Sequence, residues 1–177
     1  MSDALTKQAK HGLKEAIART ANGRKGEERL VSKAVGGVVS FCVRRPAGKI
    51  AASAFSPSKL IEAIQMGLPV WELGDLQTML DVPMERLVPM LGMSKATLHR
   101  RKAGGKLAPA ESDRVVRFAR LMGKAVEVME SEDNARQWLT SPQLGLGGAI
   151  PLDYARTEVG AREVEDLLGR IEYGVYS

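Results

Sequence analysis

The 177-residue chain is 44% hydrophobic and 27% charged, with one cysteine and two histidines. That fits one ordinary domain or two very small ones, and it leaves almost no material for a metal site or a disulfide framework. The net charge of +5 hides a segregation: residues 1–55 carry +7, 56–93 carry −3, 94–124 carry +7 and 125–177 carry −6. Basic blocks favour polyanions, because each neutralised phosphate releases counterions, and two basic blocks with an acidic end suggest two partners of opposite character; solvated surface is the plainer alternative.

The lone cysteine, Cys42, fits a reducing, cytoplasmic setting. It can be paired on paper with His11 or His99, but nothing local supports a catalytic pair. The longest uncharged stretch near the start, residues 34–43, has ten residues with two glycines. It is too short to span a bilayer and too far from Met1 for the apolar part of an ordinary secretory signal. No membrane partner is expected.

Residues 4–19 read as an amphipathic helix, with Leu5, Ala9, Leu13, Ala16 and Ile17 at spacings of three and four and Lys7, Lys10 and Lys14 on the other side. Asn22-Gly23 stops it. Residues 23–57 mix glycine, serine and basic residues, and read as a poorly specified extension with a short strand at 38–43. The first 55 residues therefore form a basic N-terminal extension for which structure, DNA contact, disorder and a degradable tail all stay open. Ser56-Pro57 then supplies an N-cap and a first-turn proline for a helix reaching about Met66, closed by Gly67. Residues 71–80 give a second helix with Leu73, Leu76 and Leu80 on one side.

From Pro83, the residues Met84, Leu87, Val88 and Leu91 line one side of a short helix, Gly92-Met93 breaks it, and Ser94 caps a helix from Lys95 to about Lys102 with Leu98 inward. Helix, glycine turn and second helix is the pattern of a helix-turn-helix, whose second helix enters the major groove. Lys95, Ala96, His99 and Arg100 lie away from Leu98 and are assigned to base edges, with Arg100 able to grip guanine through two hydrogen bonds. Ser94, Thr97, Arg101, Lys102 and Lys106 are assigned to phosphates, which position the protein without reading sequence. Two helices around a glycine are common on their own; four Lys or Arg among residues 95–102 carry the DNA reading. Pro89 disagrees with it, since a proline there removes a backbone bond and should kink the first helix.

After Gly104-Gly105, Pro109 opens a longer helix to about Glu130, with Arg114, Arg117, Arg120 and Lys124 as a basic stripe that extends the DNA surface or is simply solvated. Residues 134–139 give a short helix carrying Trp138, followed by the glycine-rich loop 144–148, a short helix from Leu152 and a last helix over 161–173 with Val164, Leu167, Leu168 and Ile171 inward. The glycines lack the strand and the lysine of a phosphate-binding loop. Three such short helices cannot bury a core alone and must pack on the preceding helix or on another chain.

Several ordered motifs here resemble the Xre/MbcA/ParS-type antitoxins of type II toxin–antitoxin modules. They are Ala135-Arg136-Gln137-Trp138-Leu139, Leu146-Gly147-Gly148 with Pro151-Leu152, Thr157-Glu158-Val159-Gly160, and Arg170-Ile171-Glu172-Tyr173-Gly174-Val175. Upstream, Leu91-Gly92-Met93-Ser94 and Thr97-Leu98-His99-Arg100-Arg101 match the family's Xre-like helix-turn-helix. Ile150 departs from the pattern, standing where a more polar residue is expected. The resemblance covers residues 56–177 and implies an antitoxin that neutralises a RES-domain toxin, an enzyme that degrades NAD or transfers ADP-ribose from it. It further implies that the C-terminal module blocks the toxin's NAD pocket, that the helix-turn-helix represses the operon, and that the chain works as a homodimer within a toxin–antitoxin hetero-oligomer. The toxin-binding residues it points to are Gly147, Gly148, Arg170, Glu172, Tyr173, Gly174, Val175, Tyr176 and Ser177, with Glu172 or the terminal carboxylate meeting a toxin arginine.

The expected protein is all-α: a basic extension (1–55), an Xre-like helix-turn-helix domain binding operator DNA (56–128) and a small helical toxin-binding module (129–177). It has no catalytic residues, metal or cofactor of its own. The alternative is a free-standing helix-turn-helix regulator whose C-terminal module serves dimerisation or sensing.

Overall fold

A computed structural model describes residues 37–44 and 56–174; the helix expected over residues 4–19 lies outside the described residues. These are helical, with no strand among them: α1 (Val38–Arg44), α2 (Pro57–Met66), α3 (Trp71–Leu80), α4 (Met84–Met90), α5 (Lys95–Gly104), α6 (Pro109–Met129), α7 (Glu132–Thr140), a 3₁₀ turn (Leu144–Leu146), α8 (Pro151–Tyr154) and α9 (Glu158–Glu172).

The hub is α6, on which α1, α2, α3, α7 and α9 all pack. Pro109 starts it, and its inward positions Val115, Val116, Phe118, Ala119, Leu121, Met122 and Ala125 are buried. Their spacing of three and four lays an apolar stripe along about 15 Å of a helix about 31 Å long. The C-terminal helices thus find their core on α6, as their shortness requires.

Residues 38–43, expected as a strand, are helical. The valines favour a pleated surface, but Val38 and Val39 are buried in the common core and α1 packs on both α6 and α3. Glu72 of α3 accepts the Val38 amide N–H at 2.7 Å and that of Val39 at 3.0 Å. A helix leaves its first four N–H groups without internal partners, and a buried carboxylate on another helix satisfies two of them here. The determinant lies more than thirty residues downstream.

The connections are fixed as tightly as the helices. Gly67 closes α2 with φ of 79°, and a Cβ there would sit 2.2 Å from the Leu107 carbonyl oxygen, so only glycine fits. Leu107 N–H donates to the Leu68 carbonyl at 2.8 Å and Val70 N–H to that of Gly105 at 3.1 Å, tying the α2–α3 and α5–α6 connections together. The buried Ser112 hydroxyl accepts from Leu68 N–H and donates to the Ala108 carbonyl, both at 2.9 Å.

Candidate functional site

The turn between α4 and α5 is built from three local devices. Gly92 takes φ of 68°, Met93 is buried beneath the turn, and Ser94 Oγ accepts the Thr97 N–H at 3.1 Å to cap α5. Arg114 Nη1 of α6 donates to the Leu91 carbonyl at 2.9 Å, a cation meeting the negative end of α4. Pro89 is exposed in the last turn of α4, and the helix ends one residue later, at Met90. α4 runs through the proline, which leaves the helix-turn-helix in place.

No residue of α5 is fully buried. Half-buried Leu98 packs against the core, while Ser94, Lys95, Ala96, His99, Arg100 and Lys102 are exposed, as is Lys106 beyond the helix. This leaves a helix held from one side with a cationic outer face. Thr97 is half-buried, and its hydroxyl shares a 3.0 Å hydrogen bond with Ser94. Arg101, assigned to phosphate, is instead engaged inward: its Nε and Nη2 donate to Glu111 at 2.8 and 3.1 Å. Burial alone would raise the Glu111 carboxyl, but Arg101 and the Ala108 N–H outweigh it and hold the group below its ordinary value.

The basic stripe of α6 is turned to another use. Arg117 pairs with Asp113 and with Glu158 of α9, both at 3.0 Å. Arg120 reaches Glu165 at 3.8 Å, and Lys124 binds Glu172. Donating a hydrogen bond to the Glu172 carboxylate raises the Lys124 ammonium above its ordinary value. The extension of the DNA surface along α6 is therefore corrected: three of the ten acidic residues of the C-terminal block answer the basic stripe within the chain. A sequence signal was present, since Glu158, Glu165 and Glu172 are spaced by seven and so share one helix face.

The C-terminal module is tied to the preceding helices at further points. Arg136 Nε of α7 donates to the Met79 carbonyl at the end of α3 at 2.9 Å, and Arg86 of α4 pairs with Asp153 of α8 at 3.1 Å. Half-buried Ile150, the departure from the motif, packs against the core. Gly147 and Gly148, with φ of 65° and 85°, form an exposed turn after the 3₁₀ segment. Arg170, Tyr173 and Gly174 are exposed, Glu172 is held by Lys124, and Val175, Tyr176 and Ser177 lie outside the described residues. Sequence reasoning missed the exposed apolar residues Leu144 and Val159 in this module. Among the described residues no group of three His, Cys, Asp or Glu could hold a metal ion, and no helix is long and apolar enough to cross a membrane.

Residues 60–120 match the antitoxin Xre-like helix-turn-helix domain, and residues 124–174 match the antitoxin Xre/MbcA/ParS C-terminal toxin-binding domain. The two matches meet inside α6, so one helix serves both domains. The protein named antitoxin Xre from Yersinia enterocolitica is 35% identical over 120 residues, covering 67% of this chain and 81% of that protein. Another of that name, from Photorhabdus laumondii, is 36% identical over 113 residues, covering 63% and 76%. With the helix-turn-helix, the C-terminal module and this likeness over most of a relative's length in agreement, the chain belongs to the Xre family of antitoxins.

Proposed function

We propose that this antitoxin neutralises a RES-domain toxin by covering its NAD-binding site with the C-terminal module, and represses its own operon through α5. The observation that supports this best is the pairing of an exposed cationic α5 with a toxin-binding module on a single shared helix, α6. Base edges are assigned to Lys95, Ala96, His99 and Arg100, and phosphates to Ser94, Thr97, Lys102 and Lys106, with Arg101 bracing the helix from behind. The toxin face includes Gly147, Gly148, Arg170, Tyr173 and the residues after it. An arginine of the toxin would compete with Lys124 for Glu172. On this reading the chain has no catalytic activity, works in the cytoplasm as a homodimer within the toxin complex, and divides at residues 56 and 129.

The test is co-purification of the full-length chain with the RES-domain protein encoded beside it. A stable complex in which NAD consumption is suppressed supports the reading. A soluble, folded chain that binds operator and captures no such partner favours a free-standing regulator.

A further inference from the structure

The acidic C-terminal module turns a cationic corner towards the helix-turn-helix. A surface cleft of about 450 Å³ is lined by Pro89, Gly92 and Arg114 on one side and by Asp153, Tyr154 and Arg156 on the other. Arg114 reaches beneath the turn to the Leu91 carbonyl. A Cβ on Gly92 would lie 2.7 Å from its Nη1, so glycine lets the guanidinium in. Arg156, between α8 and α9, is exposed and has no ion pair among the described residues. Asp153, the one carboxylate lining the cleft, is taken by Arg86 of α4 at 3.1 Å, the two side chains being 48% and 35% exposed. The next acid along the chain, Glu158, is held by Arg117 and Arg162.

Three guanidinium groups around one engaged carboxylate leave an excess of positive charge, and the guanidinium fork matches phosphate oxygens. Position says which phosphate. Gly92 stands two residues before Ser94, the N-cap of α5, and the first helix of a helix-turn-helix crosses the sugar–phosphate backbone. Arg86 lies on that first helix. We propose that the cleft takes a backbone phosphate of the bound DNA, gripped by Arg156 and by Arg86 released from Asp153; the proposal rests on the DNA-binding reading of α5 above. The C-terminal module then touches the DNA itself, and Asp153 is a placeholder. An exposed ion pair gains little, whereas each neutralised phosphate releases counterions, so DNA displaces the carboxylate and binds less tightly for having to do so.

Fluorescence anisotropy of the full-length chain tests this on two labelled duplexes, one from immediately upstream of its own reading frame and one scrambled, over about 0.05–0.2 M salt. Arg156→Ala should weaken binding to both by about three- to eightfold and lower the salt slope by about 0.9, as loss of one phosphate contact requires. Asp153→Asn should strengthen both at least about twofold, a gain that falls away when Arg86→Ala is added. Arg162→Ala, on α9 outside the cleft, should stay within about 1.5-fold of the unsubstituted chain. Arg156 and Asp153 are exposed, so thermal melts should not move. If either Arg156→Ala or Asp153→Asn leaves both affinities unchanged while Lys102→Ala still weakens them, the proposal is overturned and the DNA reading stands. A loss confined to the upstream duplex, or a gain from Asp153→Asn that survives Arg86→Ala, also overturns it. No binding of the unsubstituted chain to either duplex at the lowest salt overturns both.

Discussion

The Arg101 guanidinium grips both carboxylate oxygens of Glu111, at 2.8 and 3.1 Å, while the same carboxylate accepts the Ala108 N–H at 2.7 Å. This one contact joins the exposed helix α5 to the start of α6 and leaves Arg100, the next residue, facing outward. Removing the carboxylate strands a half-buried guanidinium and an amide together. Glu111→Ala should therefore lower stability by about 1–3 kcal/mol in urea unfolding, and loss of less than about 0.5 kcal/mol would deny the brace its role.

On the proposed assignment, Arg100 and Lys102 separate reading from positioning. Arg100→Ala should cost about 1–3 kcal/mol on operator DNA and much less on random duplex. Lys102→Ala should weaken both and lower the salt slope by about one. Equal losses on the two duplexes from Arg100→Ala would remove it from the base-reading set.

Two buried carboxylates give opposite pH signatures. Burial pushes Glu72 above 4.5, although the Val39 and Val38 N–H groups draw it back in part. Its stabilising contribution is full below 4.5 and lost as pH rises through the raised value. Glu111 is held below 4.5, so its contribution is present above 4.5 and lost as pH falls through the lowered value. In urea midpoints compared from about pH 3 to pH 8, Glu111→Gln should differ most from the unsubstituted chain at the high end. Glu72→Gln loses one of its two acceptors, so faster amide exchange at Val38 and Val39 should report the loosened α1.

The α6–α9 ion pairs bind the module loosely in energy while setting its orientation. Lys124 and Glu172 are each about one-third exposed, so a double-mutant cycle to alanine should give a coupling of about 1 kcal/mol or less, shrinking with salt. The steric fit beneath α9 counts for more. A Cβ on Gly160 would lie 2.0 Å from the Tyr154 carbonyl oxygen, and Gly160→Ala should cost about 1–3 kcal/mol in thermal unfolding.

What the chain declares locally was legible in its sequence. Ser56-Pro57, Gly67 and the Ser94 cap mark helix boundaries through near neighbours, and α2 through α5 begin and end close to where those signals fall. What escaped depends on distant residues. Residues 38–43 carry strand-prone valines, and tertiary packing with Glu72 overrides that preference. The α6 cations read as a DNA surface because their partners lie some forty residues further on. The shared helix also means that a cut at Met129 would uncover the α6 core as well as remove the module. Point substitutions on the module's surface are the sounder probe.

The central claim is tested most directly by the NAD consumption of the proposed RES-domain partner, titrated with full-length antitoxin. Neutralisation through the C-terminal module predicts that consumption falls to zero near a fixed stoichiometry, and that Tyr173→Ala combined with removal of residues 175–177 restores it in a chain that still melts normally. Undiminished NAD consumption in the presence of excess folded antitoxin would contradict the account.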